Sequence, residues 1–197
     1  MFRRTLLHQT PGTEVDKARW LWGRVVEMVV ARSGAASGKW MDVGFGDGAL
    51  LCTAQEWGFD AFGLDLRQEA VAGMRDFGIE ARVSRVEDYP GEKEFRVVSM
   101  ADVLEHMPFP DAALRAAHRL LADDGVLFVS MPNRDSAVWK VMDRHRTNPY
   151  WSELEHFHNF TRKILYRLLE KHGFTPLAFN VSDRYRSGMD VMARKTV

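Results

Sequence analysis

From Trp40 onward the chain alternates between two apolar rhythms. Short runs of strand length lie at 40–43, 61–64, 81–83, 95–100 and 126–131, the last after the turn signal Asp123-Asp124-Gly125. Stretches at 48–57, 68–77 and 110–121 instead carry apolar residues three and four apart, the spacing of amphipathic helices. Strands joined by helical crossovers require a parallel, right-handed, doubly wound α/β sheet. After residue 135 the texture changes. An aromatic-rich segment from Trp139 to Phe160 precedes a helix at 161–172, with Thr161 placed to cap it and Gly173 to stop it. Strands at 175–181 and 189–194 are joined by the polar stretch Ser182 to Gly188, too short for a helical crossover, so the pair forms an antiparallel hairpin. Upstream, residues 15–32 place Ala18, Leu21, Trp22, Val25, Val26, Met28, Val29 and Val30 at spacings that suit an amphipathic helix, expected to cover the sheet's edge or a ligand.

A length of 197 residues suits one domain. It divides into an N-terminal helical cap (1–37), a ligand-binding half (38–134), and an insertion with the terminal hairpin (135–197). Lysine plus arginine equals aspartate plus glutamate at 27 each, so no global positive field exists to gather nucleic acid or an anionic membrane. Charges interrupt every apolar run well short of the ~18 residues a membrane span needs. The single cysteine, Cys52, and the lack of a signal-peptide apolar region fit a reducing, cytoplasmic setting.

The chemistry begins at Asp42-Val43-Gly44-Phe45-Gly46-Asp47-Gly48, which follows a strand and opens a helix. Glycines at alternate positions let the backbone turn tightly and let a ligand lie against it without a Cβ in the way. Glycine-rich turns also occur with no ligand, and Gly44-x-Gly46-x-x-Ala49 satisfies a dinucleotide pattern. Asp65, about 20 residues on and ending the next strand, is placed to accept ribose hydroxyls, so loop and acid together specify an adenosine-type ligand. Asp42 would repel a pyrophosphate but suits a ligand bearing an ammonium and a sulfonium, which favours S-adenosylmethionine over a nicotinamide dinucleotide.

With these residues in place, the chain resembles the class I S-adenosylmethionine-dependent methyltransferases, of the bacterial type that includes ubiquinone-biosynthesis O-methyltransferases. The likeness covers about residues 38–195. It runs through the glycine loop, Gly63-Leu64-Asp65-Leu66, Val86-Glu87-Asp88-Tyr89-Pro90, the segment Val97 to His106, and Gly125 to Asn133. The resemblance implies a Rossmann-like, seven-stranded, mostly parallel sheet with the last strand antiparallel and helices on both faces. It implies that Asp42, Gly44, Phe45, Gly46 and Gly48 face the methionine part, that Asp65 with Leu66 holds the ribose, and that Val86 and Glu87 lie beside adenine. Ala101 and Asp102 fall beside the cofactor's amino group; for Asp102 the plainer alternative is a helix cap. Arg85 departs from the family pattern, in which an acid near this position meets the adenine amino group.

Asp102-Val103-Leu104-Glu105-His106 ends the fourth strand, at the edge where open α/β sheets build their sites. His106 and His156 are the candidate bases for an acceptor hydroxyl. The plainer alternative is that Glu105 and His106 fix the following turn. Asp102, Glu105, His106 and His156 also form a sensible divalent-metal set, resembling the Glu-x-x-Glu-His sites of metal-using relatives. The aspartate at the first position counts against it, and no metal ligand is assigned. Trp139, Tyr150, Trp151, Phe157 and Phe160 read as the core of the insertion rather than an acceptor platform. Arg144, Arg146, Arg184 and Arg186 could meet an anionic acceptor, but scattered surface arginines usually face solvent, and that is the reading taken.

The expected function is methyl transfer, yielding S-adenosylhomocysteine, to an oxygen or nitrogen of a small-molecule acceptor. The alternatives are RNA 2′-O-methylation with a divalent metal and a non-catalytic cofactor-binding module. Titration calorimetry is expected to show binding of S-adenosylmethionine and S-adenosylhomocysteine but not of NAD; the reverse preference would overturn the cofactor assignment.

Overall fold

The strands run beyond the apolar runs that mark them. They are β1 (Gly38–Val43), β2 (Phe59–Asp65), β3 (Glu80–Val83), β4 (Phe95–Ala101), β5 (Leu121–Pro132), β6 (Phe174–Val181) and β7 (Gly188–Lys195). The extension is one residue in β4 and β6, and it passes through polar flanks such as Gly38-Lys39 in β1 and Asp60 and Asp65 in β2. The helices are α1 (Val15–Ser33), α2 (Ala49–Glu56), α3 (Gln68–Met74), α4 (Pro110–Leu120), α5 (Ala137–Arg144) and α6 (Arg162–Lys171). The computed structural model describes residues 15–185 and 187–196, with side chains from residue 19. The first fourteen residues of the expected cap, the side chain of Ala18, and Arg186 lie outside the described residues.

The seven strands form one sheet in the order β3-β2-β1-β4-β5-β7-β6. Strands β1 to β5 pair in parallel, and β7 inserts antiparallel between β5 and β6. The hairpin argued from loop length is therefore present, and so is the antiparallel last strand. Thr161 accepts from the Ile164 amide at 3.2 Å to cap α6, and Gly173 ends it at φ 77°.

Two expectations are corrected. Asp123-Asp124-Gly125 is not a turn ahead of β5 but an irregular part of it. Lys93 lies 2.8 Å and Lys195 3.6 Å from Asp123, while Arg96 pairs with Asp124. Cations from neighbouring segments thus hold two aspartates in extended backbone that would otherwise favour a turn. The second concerns α1, which covers a face of the sheet and not its edge. Its Val25, Val26 and Val29 are buried with Trp40 of β1, Phe128 of β5 and Met192 of β7. Full burial of each valine is worth about 1.5–3 kcal/mol, enough to fix the helix there. The opposite face of the same strands, Met41, Val98, Leu127 and Val191, packs with Leu114 of α4 and with Leu165 and Leu169 of α6. Alternation along central strands therefore serves two cores at once. No helix among the described residues is long and apolar enough to cross a membrane.

Gly63 in β2 has no room for a side chain: a Cβ there would lie 2.7 Å from the Phe45 ring and 2.9 Å from Leu51. Phe45 belongs to the glycine loop, so the strand and the loop share one packing constraint. Gly63→Ala is expected to cost about 1–3 kcal/mol in denaturant unfolding by overpacking and to weaken cofactor binding by displacing Phe45.

Candidate active site

The loop between β1 and α2 turns through Gly44, Gly46 and Gly48 at φ of 66°, 64° and 81°, where a Cβ is strained. Their surroundings differ. A Cβ on Gly44 would meet Val103 at 2.8 Å and one on Gly48 would meet Met74, but nothing lies within 4 Å of the position above Gly46. Gly46 is thus the point where backbone is open to a ligand. Phe45 turns inward and is buried, whereas Leu66 is exposed beside the loop.

Asp65, ending β2, accepts from the Gly46 amide at 3.4 Å and the Arg67 amide at 2.9 Å. The Arg67 guanidinium adds a two-pronged contact, Nε and Nη2 at 2.9 and 2.8 Å, and also donates to the Gly46 carbonyl at 3.0 Å. Val86 is 1% exposed and offers its side chain to the core. Glu87 accepts from Arg85 at 3.1 Å, so the departure at position 85 neutralises its neighbour.

Asp42 is only 3% exposed. The Trp40 indole donates to Ser99 Oγ at 2.8 Å, and Ser99 donates to Asp42 Oδ1 at 2.6 Å. Burial nevertheless dominates and pushes the Asp42 carboxyl up to about 7, with the Ser99 bond and the Arg184 charge opposing the rise.

At the tip of β4, Asp102 sits in the left-handed region at φ 56°, and its amide donates to the Ser130 carbonyl at 2.8 Å. It caps no helix, because the 3-10 turn Leu104–His106 begins at Val103 without a side-chain cap. Its carboxylate instead takes Arg184 Nη1 at 2.7 Å and the Tyr185 hydroxyl at 2.5 Å. The expectation that Arg184 faces solvent is corrected here: its side chain is 12% exposed. The guanidinium also donates through Nη2 to Ser130 Oγ and stacks 4.4 Å from the Trp22 ring centroid of α1. Ser130 in turn donates to Asp190 at 2.6 Å, and burial raises the Asp190 carboxyl. Arg184, raised only as one of four arginines that could meet an anionic acceptor, and Tyr185 and Arg67 were not among the expected site residues. A usable signal existed for the first two, since a turn following a strand parallel to β5 must fall at the carboxyl edge. Arg144 and Arg146 are exposed as expected.

On the other side of Asp102, the structure brings Glu105, His106 and His156 together. One ligand atom from each lies within 4.8 Å of the others, and Asp102 is not part of the group. The rings of His106 and His156 are edge-on at 4.6 Å. His106 Nδ1 lies 3.0 Å from the Glu155 carbonyl, which can only accept. That assigns the proton to Nδ1 and leaves Nε2 with a lone pair. Burial first, and His106 second, lowers the His156 pKa, favouring its neutral ring. Glu105 is 1% exposed; burial first and the Asp102 charge second push it up to about 8. Its carboxyl fixes no turn, because both oxygens are buried without a hydrogen-bond partner. Only its backbone carbonyl holds the insertion, accepting from Phe157 at 2.8 Å and His158 at 3.3 Å. His156 Nδ1 is likewise buried and unpartnered. A divalent cation fits this donor set.

The insertion's aromatic residues split between two environments. Trp139 and Phe160 are core, but Trp151 and Phe157 are exposed, contrary to a uniform core. Trp139 stacks on Tyr150 at 4.9 Å, and Tyr150 stacks on His156 at 5.9 Å, so a column of rings braces the histidine. Ser187 donates to the Tyr150 hydroxyl at 2.8 Å, tying the β6–β7 loop to the same column.

A doubly wound sheet with an antiparallel seventh strand, a glycine loop and an acid ending the second strand define a nucleoside-binding transferase. A family model described as a methyltransferase domain matches residues 9–178, and the chain belongs to this family of S-adenosylmethionine-dependent methyltransferases. S-adenosylmethionine is accordingly its cofactor. The ubiquinone biosynthesis O-methyltransferase of Xanthomonas oryzae pv. oryzae is 36% identical over 124 residues, covering 59% of this chain and 52% of that one. Its namesake from Pseudomonas aeruginosa is 32% identical over 124 residues, covering 58% and 53%. The chain thus spans about half the length of these curated relatives. Among solved structures, magnesium protoporphyrin IX methyltransferase from Synechocystis PCC 6803, with bound S-adenosylhomocysteine, superposes with TM-score 0.73 at 16% identity, over 90% of this chain and 83% of that one. The 1,6-didemethyltoxoflavin-N1-methyltransferase of Burkholderia thailandensis gives 0.71 at 20% identity, over 100% and 90%. At such identities the likeness is one of fold.

The Asp42 shift sets a pH dependence with a definite sign. A carboxyl raised from 3.8 to about 7 favours the folded state fully below pH ~4, and that contribution is lost as pH rises toward 7. Asp42→Asn is expected to remove the loss, so its denaturant stability should fall less than the wild type's between pH 5 and pH 8, by roughly 1–4 kcal/mol. Parallel profiles for the two proteins would contradict the raised value.

Proposed function

We propose that the protein transfers a methyl group to an oxygen, or a nitrogen, of a small-molecule acceptor bound at the carboxyl edge of the sheet. The observation that carries this is the meeting of two histidines, His106 and His156, edge-on at 4.6 Å in the segment that follows Asp102 at the end of β4. When bound, S-adenosylmethionine supplies an electrophilic methyl group that passes to an acceptor lone pair while the carbon–sulfur electrons return to sulfur, leaving S-adenosylhomocysteine. The chain's residues do the rest. Open backbone at Gly46, flanked by Gly44, Phe45 and Gly48, receives the methionine part. Asp65 accepts from the ribose hydroxyls in place of Arg67, with Leu66 alongside. The Val86 backbone and Glu87 border the adenine. Ala101 and Asp102 take the ammonium, and Asp42 adds negative charge once it ionises.

For an oxygen acceptor, the hydroxyl proton goes to His106 Nε2, with neutral His156 beside it as the second base candidate. A nitrogen acceptor needs only its neutral lone pair. Orientation and exclusion of water supply most of the acceleration, since the leaving group is already activated. The N-terminal helix, the 135–160 insertion and the β6–β7 loop surround the acceptor, in keeping with the division at 37/38 and 134/135. The balanced net charge supports a small molecule over RNA, the histidine pair supports catalysis over a binding module, and the lone cysteine supports a cytoplasmic setting.

A second reading of the same histidines is favoured by the unpartnered Glu105 oxygens and His156 Nδ1. Glu105, His106 and His156 would hold a divalent cation that polarises the acceptor hydroxyl as a Lewis acid. Methyl transfer to a panel of phenols, catechols and amines tests both. His106→Ala and His156→Ala are expected to lower kcat on a hydroxyl acceptor by about 10²–10⁴ while leaving S-adenosylhomocysteine affinity near wild type. Activity lost on chelation and restored by magnesium, manganese or zinc selects the metal reading, and activity indifferent to chelator removes it. No transfer to any acceptor by a protein that binds the cofactor would sink both.

A further inference from the structure

The two arginines near the cofactor edge use their guanidinium groups differently. Arg67 presents its side edge, Nε and Nη2, to both oxygens of Asp65, the two-pronged geometry in which a guanidinium matches a carboxylate. Arg184 points only Nη1 at Asp102. Its Nη2 rests on the Ser130 hydroxyl, and its Nε is buried with no hydrogen-bond partner. The edge that grips a carboxylate in Arg67 therefore has none in Arg184. A buried unpaired donor of this kind costs about 1–3 kcal/mol or more, so it is a feature that a ligand relieves. The ring of Trp22 on one side, at 4.4 Å, and that of Tyr185 at 5.4 Å fix the plane of the group.

Charge balance points the same way. Asp102 is the carboxylate paired with Arg184, while burial holds neighbouring Asp42 and Asp190 toward their neutral acid forms. On the proposed cofactor placement, Asp102 also faces the donor's ammonium. One carboxylate, 37% exposed, carries a single negative charge against two cations, which leaves the more buried guanidinium, 12% exposed, short of a counter-charge. Arg184 also forms part of the wall of a cavity of about 280 Å³ between α1 and the β6–β7 hairpin, where Arg24 and Arg32 add positive charge and Glu27, Asp183 and Asp190 are the acids. Arg24 is paired with Asp183, and burial raises the Asp190 carboxyl.

We propose that Arg184 is the acceptor-recognition residue of this site and grips a carboxylate on the acceptor through its Nε–Nη2 edge. The inference rests on the cofactor reading given under the proposed function and narrows the acceptor to carboxylate-bearing small molecules. A consequence is positive coupling: the donor's ammonium at Asp102 and the acceptor's carboxylate at Arg184 each make the other's binding more favourable, and by the same factor.

Titration calorimetry tests this without turnover. S-adenosylhomocysteine is titrated into the protein alone, with saturating benzoate, and with benzamide as the neutral counterpart. Benzoate is expected to tighten S-adenosylhomocysteine binding about fivefold or more and benzamide less than about twofold. Arg184→Met, which keeps the length and apolar stem, is expected to bind S-adenosylhomocysteine but to lose the benzoate effect. Arg184→Lys, which keeps the charge but not the two-pronged edge, is expected to lose most of it. Equal effects of benzoate and benzamide, no effect of either, or coupling that persists in Arg184→Met overturns the proposal. The wild-type comparison decides even where a variant does not fold. If S-adenosylhomocysteine fails to bind the wild type, the cofactor reading falls and this inference falls with it; if it binds without coupling, only this inference falls.

Discussion

The Arg184–Asp102 pair gathers several segments of this edge around one guanidinium. Asp102 belongs to the tip of β4, Ser130 to β5, Trp22 to α1, and Arg184 to the β6–β7 loop, which reaches the insertion through Ser187 and Tyr150. Arg184 is buried while Asp102 is 37% exposed, so removing one partner costs less than the ~3–5 kcal/mol of a fully buried pair but still leaves the other charge unmatched. Replacing both with apolar groups would cost far less, so the pair fixes the arrangement of its neighbours more than it adds stability. Asp102 even accepts left-handed backbone, a penalty of order 1–3 kcal/mol, to present its carboxylate there.

The acids at this edge are not equivalent, and their differences follow from solvation. Asp65 is met by amides and a guanidinium. Asp42 has one serine hydroxyl and little else, and Glu105 has no side-chain partner, so burial pushes both toward the protonated form. An edge that looks densely negative in sequence is therefore closer to neutral until cations arrive. Cationic ligands would then bind with release of protons, because ionising Asp42 or Glu105 becomes favourable only when positive charge is supplied.

The architecture was legible because its signals are local and periodic. Strands and helices announced themselves by spacing, the terminal hairpin by a loop too short for a crossover, and the glycine loop by a requirement for positive φ that few other residues meet. What was not legible depends on neighbours distant in sequence. Asp123-Asp124-Gly125 has turn chemistry, and only Lys93, Lys195 and Arg96 hold it extended. Trp151 and Trp139 are chemically alike, yet one is exposed and one buried, since only a packed neighbour distinguishes them. Arg184 looks like any arginine in a polar turn; its role depends on Asp102, which lies 82 positions away. For the metal set, donor chemistry and the family resemblance grouped four residues; the structure keeps three, and the fourth, Asp102, is paired with Arg184.

The antiparallel β7 has a bearing on how the chain folds. It occupies the gap between β5 and β6, so β6 cannot dock on the sheet until β7 arrives and bonds both. Pairing β7 with β5 closes a long sequence separation, the kind of contact that slows folding. Until that pairing forms, β5 presents an unpaired edge and the Arg184 loop is not in place. Competence to bind a ligand at this edge thus depends on the hairpin being in place, which makes cofactor binding a reporter of the completed sheet.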